Sequence, residues 1–268
     1  MKIEKERIDI LLVNNNMVDS REKAKKYILA GLVYIDDERI DKSGTKVPVN
    51  SNIIVKGNPI PYVSRGGLKL EKAIDKFSLD INGRIALDIG ASTGGFTDCM
   101  LKNGAKRVYA IDVGYGQLAW ELQKDERVIV MDRTNIRHVI NEDIGELADF
   151  VSIDVSFISL KLVLPKVKEL TTDNVDIIAL IKPQFEAGRE KVGKRGVVKD
   201  INIHKEVIKD IYNFCRSIDL NFTALTYSPV KGAEGNREYL AHLVKDNRDI
   251  FDIDKHTEIV VNESHEEL

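Results

Sequence analysis

Across 268 residues the chain has only two cysteines, Cys99 and Cys215. They lie far apart in sequence, which excludes a disulfide framework and a cysteine zinc site and fits a reducing compartment. The five histidines, at 138, 204, 242, 256 and 265, show no ligand spacing either, so no metal is expected. No apolar run approaches the roughly 18 residues of a membrane helix. The opening MKIEKERIDILL lacks the layout of a signal peptide. A cytoplasmic protein with no membrane partner is therefore expected, and a monomer is the simplest state. Excess charge is also missing: the net is -3, with 43% hydrophobic and 31% charged residues, which describes an ordinary globular chain.

That small net charge is unevenly spread. Residues 1–60 carry a net of +2, residues 61–245 a net of +1, and residues 246–268 a net of -6. The acidity thus sits in the tail, read as a solvated acidic end, while the body can present basic patches. The length suits one full α/β domain with a small satellite.

The first 56 residues have their own pattern. A helical period runs through ERIDILLVNNN, with Ile8, Leu11 and Leu12 on one face. Asp19-Ser20 then caps a second helix, REKAKKYILAG, which stops at Gly31. Arg21, Lys23, Lys25 and Lys26 mark its exposed side, and Ala24, Tyr27, Ile28 and Leu29 its packing side. Short strands follow in LVYIDD, TKVPV and NIIVK. Helix, basic helix, AGLVYID and hairpin in this order resemble the S4 RNA-binding domain. The resemblance places Arg7, Ser20, Arg21, Lys25, Lys26, Gly31 and Val33 toward RNA. YIDDERIDK departs from that family in having two aspartates where an asparagine-glycine turn is common.

KGNPIPYVSRGGLKL, with two prolines and three glycines, marks a joint between domains. Beyond it, RIALDIGASTGGFTDCML reads as strand, glycine turn and helix, the way a doubly wound sheet opens a ligand crevice. A dinucleotide would need G-x-G-x-x-G to seat its pyrophosphate. Here the turn is D-x-G-x-x-x-G-G. Asp88, just before it, suits the cationic amino-acid end of S-adenosylmethionine and repels a pyrophosphate. Asp112 ends the next strand, placed for the ribose hydroxyls, and Asp132 ends the third, suited to the adenine amino group. The donor-binding set is therefore Asp88, Gly90, Ala91, Ser92, Thr93, Gly94, Gly95, Phe96, Thr97, Asp112 with Val113, Asp132 with Arg133, and Asp154.

Ile177–Ile181 form an apolar run that ends abruptly at Lys182 before Pro183, which cannot join a ladder. The preceding strand, ADFVSIDVSFISL, ends at Asp154. Neighbouring strands would bring Lys182 and Asp154 together at the crevice. Lys69 in SRGGLK and Glu238 in GNREYLAHLV, each taken alone, read as solvated charges.

Lys69, Asp154, Lys182 and Glu238 match in order and surroundings the Lys-Asp-Lys-Glu tetrad of FtsJ-like ribose 2′-O-methyltransferases. SRGGLKLEKA, DIGASTGGFTD, DVSFISL, IKPQFEAGREKVGKRGVV and GAEGNREYL together resemble the TlyA (hemolysin A) family over nearly the whole chain. The resemblance implies a small α+β S4 domain at 1–57, a linker at 58–66 and an acidic tail at 247–268. Between linker and tail, at 67–246, it implies a Rossmann-like class I methyltransferase domain with a mostly parallel seven-stranded sheet. It also implies S-adenosylmethionine as methyl donor and ribosomal RNA within ribosomal subunits as partner, with methyl transfer to a cytidine 2′-hydroxyl. Lys182 would take the hydroxyl proton, helped by Lys69 as a neighbouring ammonium, with Asp154 and Glu238 orienting the two lysines.

GREKVGKRGVVKD then supplies Arg189, Lys191, Lys194, Arg195 and Lys199 among three glycines. Beside a methyl-donor crevice it reads as a loop gripping substrate phosphates, with Arg65 and Arg21 on the same surface. Two rival readings remain: a non-catalytic S4-type assembly factor, opposed by the glycine turn and tetrad, and a membrane-active hemolysin, for which no strongly amphipathic segment speaks. Methylation of a base usually calls for an Asx-Pro-Pro-aromatic loop or a catalytic cysteine, and DVSF is neither.

Overall fold

The computed structural model describes residues 4–18, 20–57, 60–246 and 251–268. Asp19 of the expected cap, Asn58 and Pro59 of the expected linker, and the first residues of the expected tail, 247–250, lie outside the described residues. The chain divides into two compact units, Met1–Pro61 and Tyr62–Leu268.

The first unit runs β1 (Lys5–Arg7), α1 (Ile8–Asn14), α2 (Arg21–Leu29), β2 (Val33–Ile35), β3 (Glu38–Arg39), β4 (Lys46–Pro48) and β5 (Ile53–Val55). The helical period suggested a helix from Glu6, but Lys5–Arg7 instead pair antiparallel with β4 and helix begins at Ile8. Ladder bonds to a second strand outweigh one more helical turn there. Ile8, Leu11, Leu12, Ala24, Tyr27 and Ile28 form the core of this unit. Leu29, at the end of α2, is 78% exposed and stands outside the packing face assigned to it. Ser20 caps α2, its Oγ accepting from the Lys23 amide at 3.2 Å. Strands β3, β2 and β5 form a small sheet. Asp36 and Asp37 both take positive φ, 49° and 65°, so the two-residue hairpin keeps its left-handed turn without Asn-Gly.

The second unit follows as α3 (Gly66–Phe77), β6 (Ile85–Ile89), α4 (Gly95–Lys102), β7 (Arg107–Ile111), α5 (Trp120–Gln123), β8 (Val128–Met131), α6 (Asn141–Ile144), β9 (Ala148–Ile153), α7 (Leu160–Glu169), β10 (Thr171–Ile181), α8 (Pro183–Glu186), α9 (Ile201–Ser217), β11 (Asn221–Tyr227), β12 (Tyr239–Val244) and α10 (Ile253–Glu267). Its strands form one seven-stranded sheet ordered β11-β12-β10-β9-β6-β7-β8. The ladders joining β8, β7, β6, β9 and β10 are parallel, and β12 runs antiparallel to both β10 and β11. Strand order reverses between β6 and β9, which opens a crevice at their carboxyl ends.

Strand alternation sorts the core onto two faces. Leu87, Ile89, Ile177 and Ala179 meet α7, α9 and α10 on one side. Ala86, Ile178, Leu180 and Leu240 meet α3 and α4 on the other. The acidic end was expected to be solvated, yet Thr257, Val260, Val261 and Ser264 of α10 are buried against α9 and β11. One apolar stripe is enough to dock a helix whose remaining surface is acidic.

Candidate active site

The side of the sheet facing α3 explains how four distant charges meet. Asp154 is two residues beyond Ser152, Lys182 two beyond Leu180, and Glu238 two before Leu240; period-2 alternation sends all three toward the α3 face. Glu238 reaches the same rim because antiparallel β12 begins where β10 ends, with Tyr239 opposite Ile181. The second turn of α3 supplies Lys69.

The distances are those of one connected cluster. Lys69 Nζ lies 2.7 Å from Glu238 Oε2 and 3.5 Å from Asp154 Oδ2. Lys182 Nζ lies 2.5 Å from Asp154 Oδ1 and donates to Ser156 Oγ at 3.0 Å. Two ammoniums thus alternate with two carboxylates, and buried charge is tolerated because each has a partner. Burial alone would lower the Lys69 pKa, but the carboxylates of Asp154 and Glu238 outweigh it and raise it. Burial would raise the Asp154 carboxyl, but Lys69 and Lys182 together hold it below its ordinary range. Lys69 is therefore a fixed cation. Its charge is largely met by two carboxylates, so it is no bare ammonium beside Lys182.

The cluster opens into a cavity of about 430 Å³ lined also by Arg65, Gly90–Thr93, Phe157 and Gln184. A second cavity of about 430 Å³ shares Gly90, Ser92, Asp154, Ser156 and Phe157 with it. This second slot is walled by Ile89, Ile111, Ile136, Val155 and Ile158, with Asp112, Val113, Gln117, Thr134 and Asn135 as its polar or exposed rim. Asp112 is fixed at the end of β7 by accepting the Ser92 amide at 2.8 Å and the Gly114 amide at 2.7 Å. An apolar slot with one fixed carboxylate suits a purine nucleoside and its ribose diol, and the adjoining polar cavity suits the amino-acid end. The residues fit S-adenosylmethionine.

Several expected donor contacts fall elsewhere. Asp88 lines neither cavity; like Ala86 it points into the α4 face, fully buried, and accepts from Thr97 Oγ1 at 2.6 Å and Ser152 Oγ at 3.1 Å. Thr97 is equally buried and braces Asp88. Gly94 lines neither cavity, and a Cβ there would stand 2.3 Å from Leu122 Cδ1. Asp132 is outside both as well, accepting the Gly116 amide at 2.8 Å. Beside it Arg133, at φ 53°, stacks on Tyr115 and turns the chain back, which brings Thr134–Ile136 to the slot instead. The sequence reading missed these three, and also Gln117 and the 155–158 loop. The Asn135 amide-side-chain cap on Arg137 was the available signal for the turn.

The FtsJ-like methyltransferase family profile matches residues 62–245, and the S4 domain profile matches 6–53. The chain belongs to the FtsJ-like methyltransferase family. Among its relatives, it is 51% identical to a Bacillus subtilis protein named "Putative rRNA methyltransferase YqxC", over 91% of this chain and 87% of that one. It is 41% identical to the Mycobacterium tuberculosis 16S/23S rRNA (cytidine-2′-O)-methyltransferase TlyA, over 88% and 89%. A solved structure, "Putative hemolysin from Streptococcus thermophilus", superposes with a TM-score of 0.78 at 45% identity, covering 99% of this chain and 97% of the other.

Elsewhere on this FtsJ-like enzyme, the basic residues picked from the sequence differ in their surroundings. Arg7 and Arg21 converge on one fully buried carboxylate, Asp9, with Arg7 Nε and Arg21 Nη2 each 2.9 Å from it. Hydrogen bonds from Arg7, against burial and with help from Arg21, lower the Asp9 pKa to about 2. Two guanidiniums on one carboxylate leave a net positive site. Lys25 and Lys26 are exposed on α2, and Arg65 is exposed at the edge of the first cavity. In the basic loop, Lys191 pairs with Glu206, while Arg189, Lys194 and Arg195 are exposed. Among the described residues no group of three or more His, Cys, Asp or Glu could hold a metal, and no helix is long and apolar enough to cross a membrane.

Asp88 yields a prediction for the methyltransferase without donor. Burial, opposed by the Thr97 and Ser152 hydrogen bonds, raises its pKa from 3.8 to about 7. A folded value above the unfolded one means stability present below about pH 4 and lost as pH rises toward 7. The slope approaches about 1.4 kcal/mol per pH unit in that window. Asp88→Asn should flatten it, so the stability of wild type relative to the variant falls between pH 5 and 7.5. Denaturant unfolding at several pH values checks this, and parallel curves would count against it.

Proposed function

We propose that the protein transfers a methyl group from S-adenosylmethionine to a ribose 2′-hydroxyl of ribosomal RNA, using Lys69, Asp154, Lys182 and Glu238 as its catalytic set. The observation that carries this reading is the alternating cluster of those four charges opening into a cavity continuous with the Asp112 slot. Asp112, Thr134 and Asn135 would hold the nucleoside end of the donor, and the Gly90–Thr93 turn its amino-acid end. When bound, S-adenosylmethionine supplies a methyl group already activated by a positively charged sulfur.

A ribose hydroxyl is a poor nucleophile until its proton is shared or removed. Lys182, once its own proton has left, accepts that proton at Nζ as the ribose oxygen takes the methyl group. Asp154 and Ser156 hold Nζ from two sides and fix its direction. Lys69, kept cationic by Glu238 and Asp154, steadies the negative charge that develops on the oxygen. The steps need positioning more than activation. The names of the relatives, one of them a cytidine-2′-O-methyltransferase of 16S/23S rRNA, support the substrate class, and the S4 unit suits a structured RNA.

Incubating purified protein with labelled donor and separated ribosomal subunits tests this. Label is expected in the rRNA of at least one subunit and in no ribosomal protein. Donor binding without transfer to any rRNA would leave the non-catalytic assembly factor as the better reading.

A further inference from the structure

Outside the catalytic cavity, positive charge gathers in a cavity of about 850 Å³ between the 191–200 and 231–237 segments. Six basic side chains line it against two acidic ones. Among the described residues, Lys194, Arg195, Lys199 and Lys231 of this lining stand in no ion pair, and Lys194, Arg195 and Lys199 are exposed. Lys231 also lines the catalytic cavity, so the two spaces meet at that residue. A polymer leaving the catalytic cavity past Lys231 enters the basic cleft directly.

The cleft is held in shape. A loop with glycines at 188, 193 and 196 would lose much conformational freedom on binding. Asn236, which is 3% exposed, removes part of that cost in advance. Its Oδ1 accepts the Val198 amide at 3.2 Å, and its Nδ2 donates to Gly196 O at 2.9 Å and to Ala233 O at 3.0 Å. One buried side chain therefore fastens the basic loop to the segment that carries Glu238 two residues later. His204 Nε2, 2.9 Å from Val198 O, anchors the same loop from α9.

We infer that this cleft binds backbone phosphates of the RNA nucleotides flanking the methylated ribose, and that Asn236 is the positioning residue that keeps its two walls together. The inference rests on the reading of the substrate as RNA. An occupant must be anionic at repeated intervals and continuous with whatever sits in the catalytic cavity, and a nucleic-acid strand meets both conditions.

The test uses the full chain and a transcript of the rRNA region that wild type methylates. In the double variant Lys194→Gln/Lys199→Gln, the slope of log affinity against log salt should shrink by about 1.4, at about 0.7 per single-strand phosphate contact. KM for RNA should rise about tenfold, with kcat and donor affinity within twofold of wild type. Asn236→Ala should raise KM for RNA with all cations present; a lowered melting temperature with unchanged kinetics would make Asn236 merely structural and overturn its role. If wild type methylates the transcript and the double variant matches it in slope and KM, the cleft assignment fails while the reaction stands. A wild type that neither binds nor methylates RNA overturns both.

Discussion

Lys182→Ala should lower methyl transfer by about 10²–10⁴-fold, the usual contribution of a positioned general base, and leave donor affinity within a few-fold of wild type. The slot around Asp112 is formed by β6, β7, the 134–136 turn and the 155–158 loop, and the lysine side chain touches only its edge, through Asp154 and Ser156. Removing Nζ also leaves Asp154 with Lys69, so the carboxylate does not become an unpaired buried charge. Lys182→Arg sharpens the result, because a guanidinium keeps the charge and cannot be deprotonated in this range. If Lys182 acts as the base, arginine should be as inactive as alanine. If it acts only as a cation, arginine should recover much of the activity. A folded alanine variant as active as wild type would remove Lys182 from the mechanism. Equilibrium donor titration and single-turnover methyl transfer on the same preparations give both quantities.

Gly90→Ala should be the most damaging small substitution in the turn. Gly90 sits at φ 85°, and an added Cβ would stand 2.4 Å from the Asp154 carbonyl oxygen and 2.9 Å from its carbon. Those are backbone atoms of the strand that carries a proposed catalytic carboxylate, so relief requires moving β9 or the turn. The left-handed conformation costs a non-glycine residue about 1–2 kcal/mol. Overpacking adds about 1–3 kcal/mol. Donor affinity and transfer should both collapse, since Gly90 lines both cavities. Gly145→Ala is the control: at φ 77° it has no atom within 4 Å of the added Cβ, so it should cost only about 1 kcal/mol and leave kinetics alone. Urea unfolding of the two variants separates conformation from contact, and equal losses would contradict the contact argument.

Much of this architecture could be read from the sequence because its signals are local. The apolar run before Lys182, the glycine turn after Ile89 and the position of Asp154 at a strand end each follow from side-chain period and backbone permission. Parity was legible too: Ser152–Asp154, Leu180–Lys182 and Glu238–Leu240 each keep a two-residue step, which sends three charges to the α3 face. Asp88 shares that face, but it lies inside β6 rather than beyond its end, and Thr97 and Ser152 take up its carboxylate beneath α4. Asp132 also lies outside the two cavities, for another reason. A strand end fixes a backbone position, but the left-handed Arg133 after it sends the chain elsewhere, and a positive φ in a non-glycine residue has no dependable sequence mark. The tail was misread from charge, because Val260 and Val261 make too short an apolar stripe to stand out among eight acidic residues. The cleft around Lys231 depended on tertiary closure by Asn236, which no local pattern announces.

The central claim concerns a sugar oxygen, and alkali tests it directly. A 2′-hydroxyl attacks its neighbouring phosphate in base and cuts the chain, whereas a methylated 2′-oxygen cannot. After transfer from labelled donor to the ribosomal subunit that accepts it, complete alkaline hydrolysis of the rRNA should leave the label in dinucleotides that resist cleavage. Label recovered in mononucleotides, with the methyl group on a base, would contradict the account.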